Sequence, residues 1–346
     1  MARKLASVRK IAEIRPIEKA DAIEAVRVDG WWVVAKKGEF KVDDLCVYFE
    51  IDSFLPVREE FEFLRKACFK STQHLGDGFR LKTIRLRGQL SQGLVLPIVD
   101  FTQEITIKGH FVEEGLDLTE VLGVKLYEKP ISPQLAGSAR GNFPSFIRKT
   151  DQERVQNCYG QLKRYHEDTE FYATLKLDGS SMTVYLNDGV FGVCSRNIDL
   201  KETEGNTFWK VARALKLEEA MRSLGRNIAV QGELMGPGVQ GNRENLTDHD
   251  LYVFDIWDID TQSYETPFEM EDTISDLEAH GSGYKIAKVP ILGLEKILQN
   301  DIDTILKKSS IGSLVHPVAE GIVYRSVSDG NVSFKAINNE YLLGEK

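Results

Sequence analysis

Residues 170–186 read EFYATLKLDGSSMTVYL, and the fold and chemistry of the chain both turn on them. The run is apolar and rich in strand formers, yet Lys176 sits near the end of its first half. Asp178 and Gly179 follow at once, and a second apolar run begins beyond them. Two strands joined by a tight turn are predicted. Residues two apart on a strand share a face, so Lys176 and Asp178 point the same way. A surface hairpin would carry such a pair without further purpose. A lysine that is partly desolvated and close to other cations has a lowered pKa and becomes a nucleophile. Attack of that amine on the α-phosphate of a nucleotide would form a phosphoramidate, with Asp178 holding a metal or the leaving side of the step.

The rest of the chain bounds the choice. Its 346 residues suffice for two domains, and 42% hydrophobic with 28% charged content is ordinary for a soluble globular protein. No apolar run is long enough to span a bilayer, and the basic start MARKLASVRKIAEIR has no apolar core of a signal peptide. Cys46, Cys68, Cys158 and Cys194 form no CxxC pair. That argues against a zinc site and a disulfide framework, and fits the cytoplasm or another reducing compartment. The six histidines show no metal-ligand spacing and read as surface or satisfied core residues. A net charge of -9 leans against nucleic acid, but binding depends on local patches. RLKTIRLRGQ puts Arg80, Lys82, Arg85 and Arg87 together with no acid among them.

Residues 1 to about 125 read as short strands punctuated by Gly30, Gly38, Gly88 and Gly93, which predicts a small OB-like β-barrel. EKPISPQLAGSARGNFPSFIRKT, residues 128–150, has three prolines, two glycines and little periodicity, and reads as the linker. The domains expected are therefore 1–128, a barrel, and 129–346. The second part mixes strands with helices. FWKVARALKLEEAMRSLG predicts one helix ending at Gly225, and TPFEMEDTISDLEAHG another, with Thr266 as N-cap, Pro267 at the first position and Glu269 completing a capping box. Tight turns between neighbouring strands make this an α+β domain on largely antiparallel sheets.

A nucleotide on Lys176 would need an aromatic for the base, a carboxylate for the ribose, cations for the phosphates and carboxylates for Mg²⁺. SRN offers Arg196 after the third strand, and QGELMGPG offers Glu233 before a glycine-rich loop. LYVFDIWD offers Tyr252 and Phe254 on one face, with Asp255 on the other. In EGIVYRSVSDGNVSFKAIN, Asp329-Gly330 is a two-residue turn signal. Pairing outward from it sets Tyr324 opposite Lys335 and puts Glu320 and Lys335 on one face. A cross-strand salt bridge would satisfy the same pattern.

Taken in order, Lys176-Leu177-Asp178-Gly179, Ser195-Arg196-Asn197, Gly232-Glu233-Leu234, Tyr252-Val253-Phe254-Asp255-Ile256, Glu320-Gly321 and Ser333-Phe334-Lys335 resemble motifs I, Ia, III, IV and V of the covalent nucleotidyltransferases. This superfamily contains DNA ligases, RNA ligases and mRNA capping enzymes. A barrel ahead of the catalytic domain looks like the ATP-dependent RNA ligases of the Naegleria/Deinococcus type. TIRLRGQLSQGLVLPI, TDQERVQN and GPGVQGN add family-like detail, so the resemblance runs nearly end to end.

The resemblance implies a three-step reaction. Lys176 takes AMP from ATP, AMP passes to the 5′-phosphate of an RNA strand, and a 3′-hydroxyl displaces it, on RNA ends that are most simply a nicked duplex. It implies that Asp178 and Glu320 serve a metal, Mg²⁺ or Mn²⁺, and its waters. Glu233 would contact ribose, Phe254 would stack on adenine and Lys335 would reach the α-phosphate. Arg196 and Arg154 would reach phosphates. Leu175 stands where some RNA ligases carry a Glu that helps read adenine, so adenine would be read by backbone groups there. Ser333 stands where many relatives have the first lysine of a Lys-x-Lys pair. The barrel, with Arg80, Lys82, Arg85 and Arg87, would bind RNA. A DNA ligase or capping-type enzyme would share the covalent step, and a nucleic-acid binder with a decayed pocket would have lost at least one of Lys176, Glu233, Glu320 or Lys335; none is lost.

Overall fold

In the first part of the chain, the strands alternate apolar with polar residues and close on themselves. The computed structural model describes residues 3–128, 137–282 and 285–344. The chain divides into two compact units, Met1–Pro130 with Leu342–Lys346, and Ile131–Tyr341. Residues 129–136, where the sequence puts the domain boundary, lie outside the described residues.

The first unit is built on β1 (Ala6–Pro16), β2 (Ile23–Val28), β3 (Trp31–Lys36) and β4 (Leu45–Phe49). A small second sheet follows from β5 (Ser53–Pro56), β6 (Phe69–Thr72) and β7 (Gly76–Arg80). Then come β8 (Thr83–Leu86), β9 (Gln89–Gln92) and β10 (Leu94–Pro97), with β11 (Lys125–Leu126) returning to the second sheet. The main sheet runs β10-β4-β1-β2-β3. The Val34 amide donates to Ser91 Oγ at 3.0 Å, which lays β9 along the far side of β3 and closes the barrel in the order expected of an OB fold. Gly93 lets one run serve as both β9 and β10. Its φ is +102°, and a Cβ there would lie 2.4 Å from the Phe49 carbonyl oxygen. Phe49, Phe61 and Phe101 pack ring against ring inside.

The second unit has two sheets. Its strands are β12 (Ala139–Asn142), β13 (Glu153–Arg154), β14 (Phe171–Lys176), β15 (Ser180–Asn187), β16 (Val190–Ser195), β17 (Ile198–Leu200), β18 (Ile228–Met235), β19 (Asp250–Asp258), β20 (Ser263–Tyr264), β21 (Ile291–Glu295), β22 (Gly321–Ser326) and β23 (Ser333–Ile337). The larger sheet runs β12-β17-β16-β15-β18-β19-β20 and the smaller β13-β23-β22-β14-β21. Only β13 and β23 pair in parallel among the named strands. The later half of the expected linker is therefore structural. Ala139–Asn142 adds an edge strand, and Phe143, Phe146 and Ile147 pack with Tyr185 and Trp257.

Each sheet buries one face under helices. Met182, Val184, Val230 and Ile256 pack with residues of Thr207–Ala214, Leu217–Leu224 and Pro267–Leu277. The first two of these were expected as a single helix. Lys216 instead turns left-handed at φ 50°, so Trp209 and Val211 on one side and Leu217 and Met221 on the other reach the same core. The capping box at Thr266 forms, with the Thr266 amide donating to Glu269 Oε2 at 2.8 Å. On the smaller sheet, Phe171, Ala173, Ile322, Tyr324, Phe334 and Ala336 pack against Val155 and Ile302, Ile305 and Leu306.

The other faces meet through charge. Arg325 of β22 donates from Nε to Asp255 Oδ1 at 2.5 Å and from Nη2 to Oδ2 at 3.0 Å, and both side chains are 5% exposed. Thr174 Oγ1 and Gln152 Nε2 complete the network. Among the described residues no helix is long and apolar enough to cross a membrane. Asp255→Ala leaves the Arg325 guanidinium buried without its carboxylate. A loss of about 3–5 kcal/mol is expected in urea unfolding, and a loss below about 1 kcal/mol would show that the pair does not hold the sheets together.

Candidate active site

Lys176 ends β14 directly opposite Gly321 of β22. That pairing puts Thr174, Lys176, Val323, Arg325 and Lys335 on one face of the smaller sheet. Glu320 reaches the same face by a different route. Strict alternation would send it away with Ile322, but Gly321 has φ +156°, and a Cβ on it would stand 2.2 Å from the Ala336 carbonyl oxygen. The chain is thereby re-aimed, and Glu320 Oε2 lies 2.7 Å from Lys176 Nζ. The hairpin register differs by one from the sequence expectation. Tyr324 faces Phe334 and Val323 faces Lys335. The turn is longer than Asp329-Gly330, because the Ser326 amide bonds the Val332 carbonyl and Ser326 Oγ accepts the amides of Ser328 and Asp329.

Glu233 comes from the larger sheet. Its Oε1 accepts the Gly179 amide at 3.0 Å, and a Cβ on Gly179 would lie 2.5 Å from the Leu234 carbonyl oxygen. The turn after Lys176 is thus fitted to β18, and only glycine allows the approach. Burial pushes the Glu233 carboxyl up to about 7, opposed by the charge of Lys176. The surroundings of Lys176 differ from those expected. Burial works to lower its pKa, but Glu320, Glu233 and Asp178 outweigh it and hold the ammonium above its usual range. The depressed amine is Lys335, which burial pulls down to about 8 against the attraction of Asp151, with Arg154 and Lys176 adding repulsion. Its Nζ lies 3.3 Å from Asp151 Oδ1.

The remaining predicted residues fall around this centre. Arg154 is buried in β13, paired in parallel with Lys335. Arg196 is largely exposed and approaches Asp151 Oδ2 at 3.9 Å. Phe254 is the extra residue of a β-bulge, since Gln231 pairs with Asp255 and Gly232 with Val253. The bulge turns Asp255 to the face of Tyr252 and Glu233, against the simple alternation read from the sequence, and sets the Phe254 ring 5.7 Å from the Arg325 guanidinium. Leu175 is buried in a small cluster with Leu177, Met235, Val289 and Ala319. Its amide donates to the Pro290 carbonyl. Ser333 pairs with Arg325 across the hairpin. In the first unit, Arg85 and Arg87 are exposed on the β8–β9 hairpin and Lys82 is half-buried just before it. Arg80 is not part of that surface. It is 6% exposed, with its guanidinium 4.2 Å from the Tyr127 ring centre, because β7 turns it inward.

Sequence reading missed a supporting group. Arg243 Nη1 lies 3.6 Å from Asp178 Oδ2, while Nη2 bonds the Val318 carbonyl at 2.8 Å and His316 Nδ1 at 3.0 Å. Its neighbour Glu244 is buried and accepts the Val315 amide at 2.9 Å. This pair ties the GPGVQGNREN loop to the segment leading into Glu320. The run itself was legible as family-like; the partners lie about 70 residues away.

Asp178 is raised by burial first and Glu320 second. No group of three His, Cys, Asp or Glu side chains among the described residues is placed to hold a metal ion. Asp178, whose charge the nearby Glu320 disfavours, forms with it a pair that fits an ion such as Mg²⁺, which keeps several waters and takes one or two carboxylates with substrate phosphates.

Comparison with known proteins bears on both units. An OB-fold domain family matches residues 5–98 and the RNA ligase family matches residues 169–337. A solved structure of a Naegleria gruberi RNA ligase mutant with AMP and Mn is 44% identical, covers 99% of this chain and 99% of its own, and has a TM-score of 0.92. The same ligase with PPi is 45% identical over 99% of this chain and 98% of its own, with a TM-score of 0.91. A mutant with ATP and Mn is 44% identical over 99% of each chain, again at 0.91. No curated protein matches the chain. With identity of this level along the whole of both chains, and with the lysine, the carboxylates and the barrel all present, this chain belongs to the RNA ligase family.

Proposed function

We propose that this RNA ligase is ATP-dependent and joins a 3′-hydroxyl to a 5′-phosphate through AMP carried on Lys176. The observation that carries the reading is the packing of Lys176 Nζ, 2.7 Å from Glu320, at a centre shared by Glu233, Asp178 and Lys335. ATP and a divalent ion are taken from the likeness to the Naegleria ligase with ATP and Mn. The RNA ends and the nicked duplex are taken from the chemistry of the family.

In the first step the Lys176 ammonium gives up a proton to water. The amine attacks the α-phosphorus, a P–N bond forms, the bond to the β-phosphate oxygen breaks, and pyrophosphate leaves. Lys335 and Arg154 would offset charge on the phosphates. Asp178 and Glu320 would hold the metal, which when bound neutralises charge on the phosphates. Glu233 would accept a ribose hydroxyl, and Phe254 offers a ring to adenine, with Arg325 beside it. Arg196, exposed and only loosely paired, is suited to a phosphate of the nucleotide or of the RNA end. In the second step the RNA 5′-phosphate oxygen displaces Lys176 from phosphorus. In the third the 3′-hydroxyl displaces AMP. The domain of residues 1–128 holds the RNA through Lys82, Arg85 and Arg87, and residues 129–346 carry the nucleotidyl transfer.

Lys176→Ala should take up no label from α-labelled ATP yet still seal a pre-adenylated RNA in part. Retained labelling would move the nucleophile elsewhere. Glu320→Ala should slow self-adenylation about a hundredfold or more, about 3 kcal/mol of barrier, and activity within a few-fold of wild type would reduce the contact to a structural ion pair. Lys335 carries charge below its pKa of about 8 and loses it above. ATP affinity of the free enzyme should therefore fall as pH rises through that region, and Lys335→Arg should flatten the fall; a pH-independent affinity in wild type sinks this role. Charge reversal at Arg85 and Arg87 should cut nick sealing about tenfold, least at high salt, and leave self-adenylation intact. Unchanged sealing at low salt would remove these residues from the RNA surface.

A further inference from the structure

Beyond β23 the chain meets both acidic residues of the metal pair again. Ile337 pairs with Gly321, and the Asn338 amide then donates to the Glu320 carbonyl at 2.9 Å. Asn338 Oδ1 accepts the Glu340 amide at 3.0 Å, just ahead of the helix Asn339–Gly344. Tyr341 lies three residues past Asn338, about one helical turn, and is half-buried. Its hydroxyl hydrogen-bonds the Asp178 carboxylate. Its ring carries the Arg243 guanidinium, 5.0 Å from the ring centre. One side chain thus touches both the carboxylate and the cation beside it.

Arg243 is the group that could disable Asp178. An arginine in full contact with a carboxylate makes two parallel bonds of about 2.7–2.9 Å and takes up both oxygens. Arg325 does this to Asp255, at 2.5 and 3.0 Å. Arg243 does not: its Nη1 stops 3.6 Å from Asp178 Oδ2. Its Nη2 is drawn the other way, to the Val318 carbonyl at 2.8 Å and His316 Nδ1 at 3.0 Å, and its face is taken by Tyr341. A packing role would need only the ring, and phenylalanine would serve it. The hydroxyl adds a single directed bond to Asp178, which leaves the carboxylate charged and with lone pairs to give to a metal. We infer that Tyr341 is a positioning residue for the metal step: its hydroxyl aims Asp178, and its ring keeps Arg243 from closing on that carboxylate. The inference rests on the reading of Asp178 and Glu320 as the carboxylates that hold the ion, and names the residue that keeps one of them available.

The test reads the ion itself. Full-length protein with AMP, which has no pyrophosphate to lose, is titrated with Mn²⁺, and the free ion is followed by its EPR signal. Tyr341→Phe keeps the ring and should bind Mn²⁺ about threefold more weakly; Tyr341→Leu loses both contacts and should bind it about tenfold or more weakly. Arg243→Gln is then added. Alone it should change the affinity little, but in Tyr341→Leu it should recover most of the loss, because the competing guanidinium is gone. Self-adenylation by Tyr341→Phe should return toward the wild-type rate as Mn²⁺ is raised. Wild-type Mn²⁺ affinity in Tyr341→Leu overturns the inference. So do equal effects of Arg243→Gln in the two backgrounds, or a rate deficit in Tyr341→Phe that saturating Mn²⁺ leaves in place. Asp178→Asn tests the reading beneath. If it binds Mn²⁺ like wild type, Asp178 does not hold the ion and both readings fall; if it weakens Mn²⁺ while the Tyr341 variants do not, the role of Tyr341 alone is wrong.

Discussion

The Arg325–Asp255 pair fixes the relation between the two sheets of the second unit, and the pocket depends on that relation. Lys176, Lys335 and Arg325 project from the smaller sheet, and Glu233, Tyr252 and Asp255 from the larger. A two-point guanidinium–carboxylate contact is directional, so it sets register as well as distance. Desolvating both charges costs several kcal/mol before any attraction is counted, and apolar residues of similar size would often be as stable. What apolar packing would lack is the fixed angle. The bulge at Phe254 belongs to the same arrangement. Without the extra residue Asp255 would face the helices, and Arg325 would be buried with no counter-ion.

Two glycines then bring the carboxylates to the lysine. Gly179 lets the turn after β14 approach β18 closely enough for its amide to bond Glu233. Gly321 interrupts the pleat of β22 so that Glu320 faces Lys176 instead of the core. The result is a buried cluster of opposing charges. Lys176 is held charged by three carboxylates, while Lys335, crowded by Arg154, is the amine that burial loosens. In the proposed reaction, a polyanion and a cation entering the site would shift that balance, which would suit a nucleophile needed only with nucleotide bound.

The first unit is organised differently. Its core is aromatic, Arg80 is turned inward against Tyr127, and the exposed Arg85 and Arg87 lie on the β8–β9 hairpin. Both residues of the hairpin turn have positive φ, 51° at Arg87 and 83° at Gly88, the twist that a two-residue connection between antiparallel strands favours. The turn therefore presents an arginine at its tip at the expense of backbone strain that a glycine or asparagine would have avoided.

The sequence alone determined most of the elements and marked out the residues of the candidate site. Alternation marked the strands of the barrel, the capping box at Thr266 marked a helix start, and Lys176, Asp178, Glu233, Glu320 and Lys335 could be picked out because strand ends, turns and glycines are local signals. Tertiary structure decided what those signals could not reach. The hairpin register slipped by one because Ser326 anchors a longer turn, Asp255 changed face through a bulge, and Arg80 went inside under Tyr127. Arg325 and Arg243 gained their roles from partners about 70 positions away or more. The same distance in sequence explains the reversal at Lys176. Its expected neighbours were cations, but a group's pKa is set by whatever charge lies within a few ångströms. That is a property of how the sheets pack, and no stretch of the chain read by itself contains it.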